Sequence, residues 1–343
     1  MRAYRCPRCA AMLDGARGRC PRCGAPVGLA LPLGTVLDLE TMGAGWKRCI
    51  GSGDAECNWL VTADGGPRCE SCRLTRTVPA GRDPSDLEHL SDTELAKRRV
   101  VYQLYDLGLP VVDRAQDPAR GLAFDLLSSR YGPVVTGHAD GVITIDLAES
   151  DDAHRVMLQA QLDEPYRTVV GHIRHEIGHY YWMVLVEDGG HVEAFRALFG
   201  DERASYPDAL QRHYREGAPP GWRSTYVSAY ATMHPWEDWA ETFAHYLHII
   251  DAAETAEDYA VMAPSGVRPT SGDFGELLEY WRFVVEAVNG VAESLGLSEV
   301  YPFTPSGPVV DKLHFVHRSI AQNAQRRSFY GPEVSDADAP PFP

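Results

Sequence analysis

The chain has 343 residues, 44% hydrophobic and 23% charged, which is ordinary globular usage and excludes a disordered polymer. No apolar run approaches the roughly 18 residues of a membrane span, and the start, Met1-Arg2-Ala3-Tyr4-Arg5-Cys6-Pro7, has no apolar h-region; a cytoplasmic protein with no membrane association is expected. The net charge of −16 is uneven: residues 1–80 carry 11 basic and 7 acidic side chains (+4), the remainder 21 and 41 (−20). So acidic a body repels phosphate backbones, and nucleic acid is not an expected partner.

All eight cysteines lie between Cys6 and Cys72. Without an export signal, such clustering reads as thiolate metal ligands rather than disulfides. Cys6-Pro7-Arg8-Cys9 and Cys20-Pro21-Arg22-Cys23 are two C-x-x-C knuckles. Each grips one ion with two sulfurs from a tight turn, and two together complete the four-thiolate site of a zinc ribbon. Cys49, Cys57, Cys69 and Cys72 form a second quartet with a single knuckle, so a second structural zinc is expected; interleaved pairing between the quartets stays open on spacing alone. Between them, residues 28–34 read as linker or extended strand. The Arg-rich knuckles suit a solvated or protein-docking surface.

Further along, Ser91-Asp92-Thr93-Glu94 reads as a capping box opening a helix through Tyr102 and Leu107, stopped by Gly108 and Pro110. Residues 141–147 alternate as a strand, a candidate edge for an extended substrate. A helix is predicted over 165–187, another from His234-Pro235 to about Asp251, and a third over 274–295. In the third, Leu277, Trp281, Val284, Val285, Val288 and Val291 form one core-facing stripe. Residues 331–343 read as a disordered tail. The organisation expected is a zinc-ribbon region at 1–80 followed by a larger domain at 85–330.

Helix 165–187 contains His175-Glu176-Ile177-Gly178-His179. Two histidines one helical turn apart share a face and can hold one ion, and Glu176, one step round, can serve as general base to a zinc-activated water. A third ligand must come from elsewhere. Tyr230-Ala231-Thr232-Met233-His234-Pro235-Trp236-Glu237-Asp238-Trp239-Ala240-Glu241 offers Glu237 and Glu241, i,i+4 on one face, and either can turn toward the histidines. His172, one turn before His175, reads as a surface or supporting histidine. His245 and His248 read as packing or hydrogen-bonding groups, and His89, His314 and His317 match no ligand spacing.

The segment from Tyr230 to Glu241 resembles the third-ligand helix of gluzincin metallopeptidases, as in the lethal-factor-like, Pro-Pro endopeptidase-like and Mlc-titration-factor-like groups. Over residues 1 to 330 the chain more closely resembles a bacterial family of zinc-binding metallopeptidases with an N-terminal zinc ribbon. The residues that carry the likeness are Gly137-His138-Ala139-Asp140-Gly141, Glu164-Pro165-Tyr166-Arg167, the stretch from His175 to Trp182, and His234 to Glu241. The resemblance implies an α+β fold, a ribbon module followed by a mainly helical zincin-like domain with a small sheet. It implies a catalytic zinc held by His175, His179 and Glu237, with Glu241 as supporting group or alternative ligand. Tyr230 is then the oxyanion donor. Asp238 stands where some of these groups carry an aromatic. The expected activity is hydrolysis of a peptide or protein substrate, with one catalytic and two structural zinc ions and a protein partner at the ribbon. The alternative is a non-catalytic ribbon module, binding protein or nucleic acid, on a zincin-like scaffold.

Overall fold

The structure, a computed structural model, describes residues 3–81, 83–151, 155–157, 168–261 and 273–330. The tail at 331–343, the Glu164-Pro165-Tyr166-Arg167 signature and the predicted helix start at Pro165 lie outside them.

The first seventy residues build three two-stranded antiparallel ribbons: β1 (Ala3–Arg5) with β2 (Met12–Asp14), β3 (Val27–Ala30) with β4 (Thr35–Asp38), and β5 (Trp46–Arg48) with β6 (Leu60–Thr62). The stretch at 28–34 is thus half of a hairpin. Asn58 ties the ribbons together, its side-chain amide donating to the carbonyls of Gly15 at 2.7 Å and Arg17 at 3.2 Å.

After Cys72 the chain enters β7 (Thr75–Thr77), which leaves the ribbons and pairs with β8 (Ala123–Leu127). β9 (Gly137–Ala139) and β10 (Val142–Asp146) complete a four-stranded sheet in the order β7-β8-β10-β9; β9 is antiparallel to β10 and the other pairs are parallel. The β9–β10 turn is Asp140-Gly141, φ +47° and +81°, the two positive values a two-residue hairpin needs. The strand at 141–147 is therefore β10, which is flanked on both sides. The edge beside it is β9.

Between β7 and β8 lies α1 (Pro84–Asp106). It starts seven residues before the expected capping box, because Asp83 accepts from the Ser85 amide at 3.0 Å and Pro84 occupies the first turn. Inside the helix, Thr93 instead meets Ser150 at 2.7 Å and Glu94 pairs with the buried Lys97 at 2.9 Å.

The remaining body is helical: α2 (Val169–Tyr181), which runs on into a π-turn over Trp182–Glu187, then α3 (Val192–Phe199), α4 (Tyr206–Glu216), α5 (Pro235–Asp258), α6 (Phe274–Ser294) and α7 (Gly307–Tyr330). This is the expected α+β arrangement, although α3, α4 and α7 have no counterpart in the sequence reading, which takes Asp201 to Trp222 as loop. Phe195, Phe199, Trp239, Phe243 and Phe315 pack edge-to-face and stacked at the centre of the helical layer. In α6, Leu277, Trp281 and Val284 are buried, but Val288 and Val291 are 44% and 60% exposed. The stripe thus reaches the core only through its first half.

The closest approach is that of α2 to α5. A Cβ on Gly178 would sit 2.9 Å from Ala240 Cα, and the Trp239 indole N–H donates to the Gly178 carbonyl at 2.8 Å. Glycine is required there because the two backbones nearly touch.

Candidate metal centre

Thr168 caps α2, its hydroxyl accepting from the Gly171 amide at 2.9 Å. Two and three turns in, His175 and His179 project toward α5. That helix opens on His234, whose ring Nδ1 accepts from the Trp236 amide at 3.1 Å, followed by Pro235 in the first turn. The His-Pro pair sets where the helix begins, and so which residues of its first two turns face α2.

Those residues are Glu237 and Glu241. Glu237 Oε2 lies 3.0 Å from His175 Nε2 and 3.4 Å from His179 Nε2. Zinc with N and O ligands at about 2.0–2.2 Å has tetrahedral ligand edges of roughly 3.3–3.6 Å, so three donors already stand at near-ligand separations. Glu237 Oε2 is buried with no hydrogen-bond donor of its own, while Oε1 accepts from the Tyr206 hydroxyl at 2.8 Å. Burial would raise the Glu237 carboxyl, but the positive charge of the adjoining imidazoles, His179 first and then His175, holds it well below the usual range. Glu241 turns to the outer nitrogen of His175, with Oε1 2.6 Å from Nδ1. The two glutamates therefore occupy different positions: Glu237 among the inner nitrogens, Glu241 behind the ring. This donor set suits zinc.

Glu176 sits beside them. Its Oε1 is 3.1 Å from His172 Nε2, and the other nitrogen of His172 is 2.5 Å from Glu149 Oε2. Glu149 arrives on the turn Leu147–Ser150 that follows β10. Burial works against charge on His172, but Glu149 and Glu176 outweigh it and raise the imidazole to about 9. Glu176 itself would be raised by burial; the His172 hydrogen bond and the neighbouring imidazoles bring it to about 2. Its Oε2 is buried and unpartnered.

Tyr230 lies in a short turn, Tyr230–Thr232, just before α5, with its ring 5.9 Å from that of His175. Burial, then the Glu237 charge, pushes its hydroxyl far above 10, so it remains an O–H donor. On the opposite side, His138 of β9 stacks 6.3 Å from His179, which puts β9, the sheet's edge strand among the described residues, against the centre.

In the ribbons every cysteine is unbridged, and the sulfurs group as Cys6, Cys9, Cys20, Cys23 and as Cys49, Cys57, Cys69, Cys72 without exchange. The distances are 3.7 Å for Cys6–Cys23 and for Cys9–Cys20, and 3.6 Å for Cys57–Cys69. Four sulfurs at 2.3 Å from one ion would be about 3.8 Å apart. Backbone amides of Gly51 and Cys69 donate to Cys49 Sγ at 3.4 and 3.3 Å.

Sequence reasoning missed two supports, Tyr206 and Glu149, which no spacing ties to the motif. His172 carried a signal, standing four residues before Glu176 on the same face. His248 bonds to Arg174 at 2.7 Å and His245 to Tyr301, as packing histidines do.

The fold and this site define a ribbon-bearing zinc-metallopeptidase class. A family model described as "Putative zinc-binding metallo-peptidase" matches residues 86–319, and a zinc-ribbon domain model matches residues 3–83. The chain belongs to that metallo-peptidase family. Uncharacterized proteins of Mycobacterium tuberculosis and Mycobacterium bovis are each 44% identical to it over 331 residues, covering 94% of this chain and 96% of the relative. No solved structure matches it.

Proposed function

We propose that the protein is a zinc-dependent peptidase whose metal is held by His175 Nε2, His179 Nε2 and Glu237 Oε2, with two further zinc ions in the cysteine quartets. Zinc held there would supply Lewis acidity, activating a water and polarising a carbonyl. Glu176 Oε2 takes the proton of the attacking water and returns it to the leaving amine. Its partner oxygen is committed to His172, which Glu149 fixes from behind, so the carboxylate presents one oxygen in one direction. Tyr230 donates its O–H to the developing oxyanion, a bond that strengthens as charge accumulates. The β9 edge pairs with an extended peptide and holds its scissile bond over the centre. Glu241 fixes the tautomer of His175. The ribbon region and the helical domain are separate functional modules in this reading.

The observation that carries the proposal is Glu176 Oε2, a buried carboxylate oxygen with no partner beside three converging ligand atoms. A scaffold that merely bound protein would have no use for it. The test is a digest of a proteome-derived peptide library by the zinc-loaded protein, read by mass spectrometry, against Glu176→Gln. New termini that disappear in the variant are expected. An identical peptide pattern from both proteins, with zinc content equal, would overturn the proposal.

A further inference from the structure

Away from the metal centre, the three ribbons and α1 line a cavity of about 620 Å³. That is within the size range of small-molecule sites. Its walls carry five arginines, Arg17, Arg19, Arg48, Arg98 and Arg99, against three carboxylates, in a chain whose net charge is −16. Apolar lining comes from Trp59 and Leu60 at the start of β6 and from Leu95 of α1.

The arginines are not all engaged. Arg99 pairs with Asp14 at 3.0 Å, and Arg19 donates to the Gly24 carbonyl at 3.3 Å. Among the described residues, the exposed side chains of Arg17 and Arg48 have no hydrogen-bond or ion-pair partner. Arg98 is the unusual member. It is only 2% exposed, one terminal nitrogen donates to the Ala55 carbonyl at 2.9 Å, and its Nε–H is buried without any acceptor. A buried guanidinium donor left unmet costs about as much as a lost charged hydrogen bond. It is the kind of group that a ligand oxygen satisfies.

We infer that this cavity is a binding site for a small organic polyanion, carrying phosphate or carboxylate groups on an apolar or sugar-sized frame. The planar fork of Arg98 takes one anionic group at the inner end, where two parallel N–H bonds match two oxygens. Arg17 and Arg48 take a second group at the mouth, and the Trp59–Leu95 lining packs on the frame between them. Nucleic acid is disfavoured by the pocket's size. Because the ligand would touch the ribbons and α1 at once, it would clamp the ribbon region onto the helix that leads to the sheet. Arg98 also lies near Cys57, so its charge has a second use beside the thiolates; Arg17 and Arg48 have none.

The test is isothermal titration calorimetry on the zinc-loaded full chain with fructose 1,6-bisphosphate as the phosphate probe, tricarballylate as the carboxylate probe, and fructose as the neutral control. One-site saturation by either anion is expected, with silence from fructose. The probe that binds more tightly identifies the anionic group. Affinity should fall at least tenfold in the Arg17→Gln/Arg48→Gln double variant, with zinc content unchanged. Arg98→Lys keeps the charge but loses the fork and should weaken binding as well; should that variant fail to fold, the double variant at the exposed positions still decides. Absence of saturation by both anions, or equal affinity in the double variant, would overturn the assignment.

Discussion

Glu241 offers the most discriminating perturbation, because Glu237 and Glu241 are one helical turn apart on α5 and are distinguished by what they face. Its carboxylate, 18% exposed, is 2.6 Å from His175 Nδ1. A charge-assisted bond of that kind is worth about 1.5–3 kcal/mol, and each 1.4 kcal/mol is about tenfold in affinity. Glu241→Ala, which removes the acceptor, should therefore weaken zinc at the catalytic centre by about a hundredfold. Glu241→Gln retains an oxygen for the N–H and should cost about tenfold, both within the span for groups that orient a metal ligand. Glu237→Gln removes the charged oxygen that stands 3.0 and 3.4 Å from the two Nε2 atoms and should cost more than either. The assay is competition against a chelator of known zinc affinity, with the cysteine-bound zinc counted separately after the centre has been emptied. Two results would refute the reasoning: Glu241→Ala within twofold of the parent protein, or a loss in Glu241→Gln that exceeds that in Glu237→Gln.

Gly178→Ala adds a methyl group 2.9 Å from Ala240 Cα. The overpacking should cost about 1–3 kcal/mol in urea unfolding and also lower zinc affinity, because the histidines and Glu237 sit on the two helices it forces apart; unchanged affinity would show that the helix spacing does not set the site. His172→Ala leaves Glu176 Oε1 without its donor and should reduce kcat about tenfold or more with KM little altered, and His172→Gln should restore part of the loss; a change confined to KM would argue for a substrate contact instead. Lys312→Met strands Asp238, whose Oδ2 is 2.6 Å from the ammonium and whose carboxyl burial already pushes up to about 7 against the pull of Lys312. A loss of about 3 kcal/mol in chemical denaturation is expected, the low end for a broken buried pair, since the carboxyl can take up a proton. Asp238→Asn in the same chain should recover much of it.

The sequence by itself determined whatever is encoded locally. Knuckle spacing assigns the cysteines to two quartets' worth of ligands, and a turn of helix puts His175, Glu176 and His179 on adjoining faces whatever the rest of the chain does. It also placed α5 correctly at His234-Pro235, because a cap and a first-turn proline act within four residues. The α1 start was misread because two candidate caps competed and the stronger local geometry, Asp83 with Pro84, lay outside the box pattern. What only the tertiary structure decided is the relation between distant segments. The i,i+4 spacing leaves Glu237 and Glu241 equivalent; the approach of α5 to α2 at Gly178 separates them into an inner and an outer carboxylate. Glu149 reaches His172 from the turn after β10, and Lys312 reaches Asp238 from α7, which explains an acid where related helices carry an aromatic. Val288 and Val291 follow the same periodicity as Leu277 and Trp281, yet they stay largely exposed among the described residues. Periodicity specifies which face a residue occupies, and only the assembled fold specifies what that face meets.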